Sequence, residues 1–153
     1  RHPERFEEVA SLINGSGFSL ARRSEKRPTS ADVILLDSIG ELAAVYRFAS
    51  VVFVGGSLAP VGGHNIIEPA AYRKSIIVGP HTYNFRQIIS DFRAADAIIE
   101  VESNEFAAAM IRLLTDRSEA QALGERAQAI IERNRGATAY ALAAIEEIIG
   151  GDR

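Results

Sequence analysis

The chain has 153 residues, 47% hydrophobic and 24% charged, with a net charge of −3 and no cysteine. That length suffices for one compact domain with its own core. The composition excludes disulfides and thiolate metal sites and offers no global electrostatic reason to bind nucleic acid. No apolar run approaches the ~18 residues of a membrane-spanning helix.

The chain opens at Arg1-His2-Pro3 without an initiator methionine, as a fragment of a longer protein would. Apolar residues at Phe6, Val9, Ala10 and Ile13 predict a helix over Pro3–Ile13, ended by Gly15 and Gly17. Phe18–Ala21 reads as a short strand. A basic run follows (Arg22, Arg23, Lys26, Arg27), either a solvated loop or a patch for a phosphorylated or acidic partner. Pro28, Thr29 and Ser30 mark a loop, Val33–Leu36 a buried strand and Ile39–Phe48 an amphipathic helix. Val51–Val54 is the clearest strand, β-branched and closed by Gly55-Gly56. After a Gly/Pro-rich loop, a short helix is expected from near Asn65. Ile76–Val78 is a strand, Asn84–Ala94 a helix, Ala97–Glu100 a strand and Asn104–Leu114 a helix. Two helices, Ser118–Glu132 and Thr138–Ile149, close the chain.

Apolar strands alternating with helices imply a parallel sheet covered on both faces. The expected fold is therefore α/β, a Rossmann-like doubly wound sheet over residues 1–153, with ligands at the carboxyl ends of its strands. Such sheets open with a strand, whereas this chain opens with a helix, so the first strand is expected upstream of Arg1.

Residues Gly55 to Pro69 form the densest cluster of unusual residues, between a buried strand and a helix. Gly62-Gly63 suits either a positive φ or a close backbone approach to a ligand, and free N–H groups beyond it can hold a phosphate. Asn65 and Glu68, three apart, share one helix face. Glu68 is suited to accept ribose hydroxyls or to complete a capping box with Asn65. His64 either donates to a phosphate or caps the helix. Two further strand-to-helix turns, at Asp37–Leu42 and Gly79–Phe85, face the same sheet edge. There Ser38 and Asn84 read most simply as helix caps, while backbone groups near Ser38 are also available to a base edge. Histidines 2, 64 and 81 lack metal-ligand spacing and no two aspartates stand one residue apart, so no metal is expected.

Four ordered blocks between Arg1 and Phe92 resemble the 3-deoxy-D-manno-octulosonic acid (Kdo) transferases: Arg1–Arg5, Asp37–Leu42, Phe53–Ala71 (with its Gly62-Gly63-His64-Asn65 and Glu68-Pro69) and Gly79–Phe85. The resemblance implies a GT-B glycosyltransferase of two Rossmann-like domains, this chain being the C-terminal one that binds the donor CMP-Kdo. It implies that Arg1 contacts the phosphate region and that Ser38, Ile39 and Gly40 approach the cytosine. Gly62, Gly63, His64 and Asn65 would cradle the phosphate, and Glu68 would hold the ribose. Family members often carry a basic residue near position 61, where this chain has Val61. No cofactor is implied beyond the donor substrate, and no catalytic residue in this domain. The base is expected in an N-terminal domain absent here, which also receives the lipid A precursor and attaches peripherally to the cytoplasmic face of the bacterial inner membrane. Two other readings stand beside this one: the donor domain of a GT-B enzyme using a UDP-sugar, and a stand-alone nucleotide-binding module.

Overall fold

Two groups of parallel strands organise the chain. The computed structural model describes residues 3–25 and 30–150, with the backbone alone for residue 3 and for residues 137–150. Arg1, Lys26, Arg27, Pro28 and Thr29 therefore lie outside the described residues. The chain gathers into two compact units, Arg1–Val45 and Tyr46–Arg153, each with its own sheet.

In the first unit a 3-10 turn at Pro3–Arg5 leads into α1 (Phe6–Gly15). The helix ends where the Ser16 amide and hydroxyl both donate to the Ile13 carbonyl, at 3.0 and 2.6 Å. Strands β1 (Leu20–Arg22) and β2 (Val33–Leu35) pair in parallel, Leu20 opposite Val33 and Arg22 opposite Leu35. Helix α1 packs on this pair, where Ala10 and Ala21 are buried. The predicted helix over Ile39–Phe48 shrinks to α2 (Leu42–Val45) and a 3-10 turn at Tyr46–Phe48. The reason is local: Gly40 has φ +88°, a left-handed conformation in which a right-handed helix cannot start.

The second unit holds β3 (Val51–Phe53), β4 (Ser75–Val78) and β5 (Ile99–Glu100), all parallel in the order β3-β4-β5. Val52 pairs with Ile76 and Ile77 with Ile99. Successive side chains leave opposite faces of a strand, so this sheet feeds two cores. Val52, Ile76 and Val78 pack on one face with α3 (Ile67–Ala71), with Ile89 and Phe92 of α4 (Arg86–Ala94), and with Ala127 and Ile130. Val51, Phe53 and Ile77 pack on the other with Leu113 of α5 (Phe106–Thr115) and with Leu123. Ring edges of Phe53 and Phe106 meet there, centroids 4.7 Å apart. All four residues of β4 are buried, as expected for a strand covered on both faces. Full burial of Phe92, Ile76 or Ile89 contributes roughly 1.5–3 kcal/mol each.

The two predicted C-terminal helices are one, α6 (Arg117–Gly150). Gly136 sits inside it, exposed, and a lone helical glycine costs only about 1 kcal/mol relative to alanine, too little to break a helix. Among the described residues no helix is long and apolar enough to cross a membrane.

The expected α/β class with parallel strands is what the structure shows, with helices crossing between the strands of the second unit. In the second unit the sheet is helix-covered on both sides.

Candidate functional site

The carboxyl ends of β3 and β4 are joined through one buried hydroxyl. Ser57, fully buried, donates to the Val54 carbonyl at 2.6 Å and accepts from the Gly79 amide at 2.8 Å. The Ser57 carbonyl in turn accepts from His81 N–H at 2.9 Å. The loops after the two strands are therefore tied at their bases, and nothing in the sequence beyond a serine at a strand end signals it.

Above that tie, residues 60–63 are held by the loop after β4. The Tyr83 hydroxyl donates to the Pro60 carbonyl at 2.8 Å and Asn84 Nδ2 to the Val61 carbonyl at 3.3 Å. The Asn84 amide donates to the Gly62 carbonyl at 3.2 Å, and the Gly63 amide to the Gly56 carbonyl at 2.8 Å. Gly62 and Gly63 have φ of +100° and +76°, so the positive-φ use of this pair is the one the structure shows. A Cβ on Gly62 would also lie 2.7 Å from Tyr83 Cε2 and 2.6 Å from Asn84 Cγ.

Asn84 does not cap a helix, contrary to its simplest reading. A 3-10 turn spans Tyr83–Phe85 and α4 starts at Arg86, because the Asn84 side chain is committed to the neighbouring loop. The capping box is likewise absent. Asn65 Oδ1 accepts from Ile67 N–H at 2.9 Å, an Asx-type turn, and the cap position itself is Ile66. Glu68 makes no hydrogen bond or ion pair with any described residue, and the residue is half-buried. His64 is exposed, its ring lying over Gly56, where a Cβ would come within 3.1 Å of Nε2. The amides of Gly62, His64 and Asn65 donate to no described residue. A run of unpaired backbone N–H groups around left-handed glycines is a concavity suited to an anion. Gly62, Gly63, His64, Asn65 and Glu68 thus stand together in the second unit at the carboxyl edge of its sheet. Val61 is 57% exposed.

Ser38, Ile39 and Gly40 follow β2 in the first unit, again at a carboxyl strand end. The Ser38 hydroxyl donates to the Glu41 carboxylate, so it caps no backbone amide, and Ile39 is 80% exposed. Hydrogen bonds from Ser38 and then Arg23 hold the Glu41 carboxyl below its ordinary range. Ser24, through its hydroxyl and amide, does the same for Asp37. Arg22 grips Glu7 with both terminal nitrogens, at 2.6 and 2.7 Å, and lowers that carboxyl in turn. Arg22 and Arg23, half of the basic run, are thus spent on Glu7 and Glu41 rather than left free for an acidic partner. Arg1 lies outside the described residues. Among the described residues no three His, Asp or Glu gather as metal ligands.

Residues 3–130 match the family described as Glycosyl transferases group 1. A 3-deoxy-D-manno-octulosonic acid transferase of Bordetella pertussis is 39% identical over 98% of this chain and 36% of its own length. One of Haemophilus influenzae is 40% identical over 90% of this chain and 33% of its own. The chain thus spans about a third of the curated relatives it matches. The crystal structure of the C-terminal CMP-Kdo binding domain of WaaA from Acinetobacter baumannii superimposes with a TM-score of 0.81 at 34% identity. The match covers 86% of this chain and 70% of that one. The likeness to Kdo transferases drawn from the four sequence blocks is borne out by these relatives. With its helix-covered parallel strands, its glycine-rich loop at a carboxyl sheet edge and a match over residues 3–130, this chain belongs to the glycosyl transferases group 1 family.

Proposed function

We propose that this chain is the C-terminal, CMP-Kdo-binding domain of a Kdo transferase that adds Kdo to the lipid A precursor during lipopolysaccharide synthesis. The observation that carries the reading is the 0.81 TM-score to a solved CMP-Kdo binding domain. The local chemistry supports it: unpaired amides at Gly62, His64 and Asn65 suit the phosphate of CMP, and the unengaged Glu68 suits its ribose hydroxyls. Ser38, Ile39 and Gly40 are proposed at the cytosine, and Arg1 at the phosphate.

In the proposed reaction the acceptor hydroxyl attacks the anomeric carbon of Kdo as the bond to the CMP oxygen breaks, with inversion. A carboxylate in the other domain takes the hydroxyl proton. This domain orients the donor and stabilises the charge that collects on departing CMP. We propose no metal and no cofactor besides the donor. The whole enzyme would act at the cytoplasmic face of the inner membrane, held peripherally through its other domain.

Calorimetric titration with CMP, with UMP and UDP as controls, tests this. Selective CMP binding is expected. Preference for UDP would transfer the site to a UDP-sugar enzyme, and failure of a folded protein to bind any of the three would refute it.

A further inference from the structure

We infer that Tyr83 and Asn84 are positioning residues that hold the 60–63 loop in the conformation that leaves the Gly62 amide unpaired, and that donor affinity depends on them. The inference rests on the donor-site reading and adds residues that the site assignment leaves out.

Three consecutive carbonyls, those of Pro60, Val61 and Gly62, are each taken by the loop after β4, two of them by the side chains of Tyr83 and Asn84. A peptide unit whose carbonyl is fixed on one side has its N–H directed by the same plane. Fixing the Val61 and Gly62 carbonyls therefore sets the direction of the Gly62 and Gly63 amides. The Gly62 amide is left unpaired, whereas that of Gly63 is used on Gly56. The clamp is also tight, because Gly62 leaves no room for a Cβ beside Tyr83 and Asn84. Both clamping residues are exposed, Tyr83 at 47%. Their side chains serve the loop rather than the core, so binding is expected to depend on them more than folding does. Preorganisation of this kind raises affinity by removing the ordering cost from the binding step.

The test uses Tyr83→Phe, Asn84→Asp (equal in shape, but unable to donate to Val61) and the double variant, with Ile130→Val as a core control. For each, CMP affinity, thermal midpoint and hydrogen exchange of the unliganded 57–66 segment are measured. Loss of a donor should weaken CMP binding about fivefold singly and about tenfold or more in the double variant. Exchange in the segment should rise while the midpoint barely moves. Ile130→Val should lower the midpoint and leave both affinity and segment exchange unchanged. Unaltered CMP affinity in both single variants would overturn the inference, as would affinity that simply follows the midpoint across all four proteins. If the unsubstituted protein binds no CMP, the donor-site reading fails. The clamp is then judged by exchange alone, unchanged exchange in the double variant overturning it and raised exchange supporting it.

Discussion

Two glycines of α6 should respond to alanine with opposite signs. Alanine is favoured over glycine inside a helix by about 1 kcal/mol, so Gly→Ala normally stabilises. At Gly136 a Cβ would meet nothing within 4 Å, and the full gain is expected. At Gly124 a Cβ would run into the Arg73 carbonyl oxygen, with the Arg73 carbonyl carbon 2.6 Å away. Arg73 closes the turn after α3 with φ +56°, and its amide is bonded to the Ala70 carbonyl at 3.0 Å. The obstacle is thus constrained backbone and not a side chain that can swing aside. Overpacking of this kind costs typically ~1–3 kcal/mol; taking the upper end and subtracting the ~1 kcal/mol helix gain leaves a net loss of about 2 kcal/mol. For a chain of this size that is a fall in midpoint of roughly 4–8 °C, against a rise of roughly 2–4 °C for Gly136→Ala. Thermal unfolding by far-UV circular dichroism, with urea titration to check that the slope is unchanged, measures both. Equal stabilisation by the two substitutions would refute the close approach of α6 to the turn after α3.

Ser57→Ala removes the hydroxyl shared by the Val54 carbonyl and the Gly79 amide, and leaving such buried groups unpaired should cost about 2–4 kcal/mol in urea unfolding. A loss below about 0.5 kcal/mol would mean that the tie is dispensable. Glu68→Gln should weaken CMP binding about tenfold, the value of one charge-assisted hydrogen bond, with the unliganded midpoint unmoved. A variant that binds CMP normally but melts lower would restore the capping role. In the first unit, Glu7, Asp32, Asp37 and Glu41 all have carboxyl groups held below their ordinary values, by Arg22, Ser19, Ser24 and Ser38 respectively. With folded values depressed, the unfolded chain binds more protons, so this stabilisation is complete above the ordinary values of 3.8 for Asp and 4.5 for Glu and is lost as pH falls through the folded ones. Hydrogen exchange of α1 and β1 should therefore accelerate as pH drops below these values, after correction for intrinsic rates. Asp32→Asn should reduce that acid dependence, and an unchanged dependence would contradict the assignment.

Sequence patterns were enough for the fold class and for marking the glycine-rich loop at a strand end. Runs such as Val51–Val54 and Ile76–Val78, separated by helical periodicity, leave little besides a parallel α/β arrangement. Glycines and prolines between Gly55 and Gly63 mark a loop that no regular element occupies. Local patterns also placed α4 and α5 to within about two residues, the ordinary error of element ends. What they could not decide were contacts between residues far apart along the chain. Asn84 looked like a helix cap because Asn before a helix usually is one. Only the folded chain brings it to the Val61 carbonyl, twenty-three residues away. Ser57 had no signal because its partners, Val54 and Gly79, come from two strands whose pairing creates the buried position. The junction near Gly136 looked like a break because propensity counts each residue alone, whereas α6 runs through it on packing gained elsewhere along its length. Periodicity records which face of an element is apolar. Which atoms meet across elements is set by the whole packed structure, and there the loop after β4 came to hold the loop after β3.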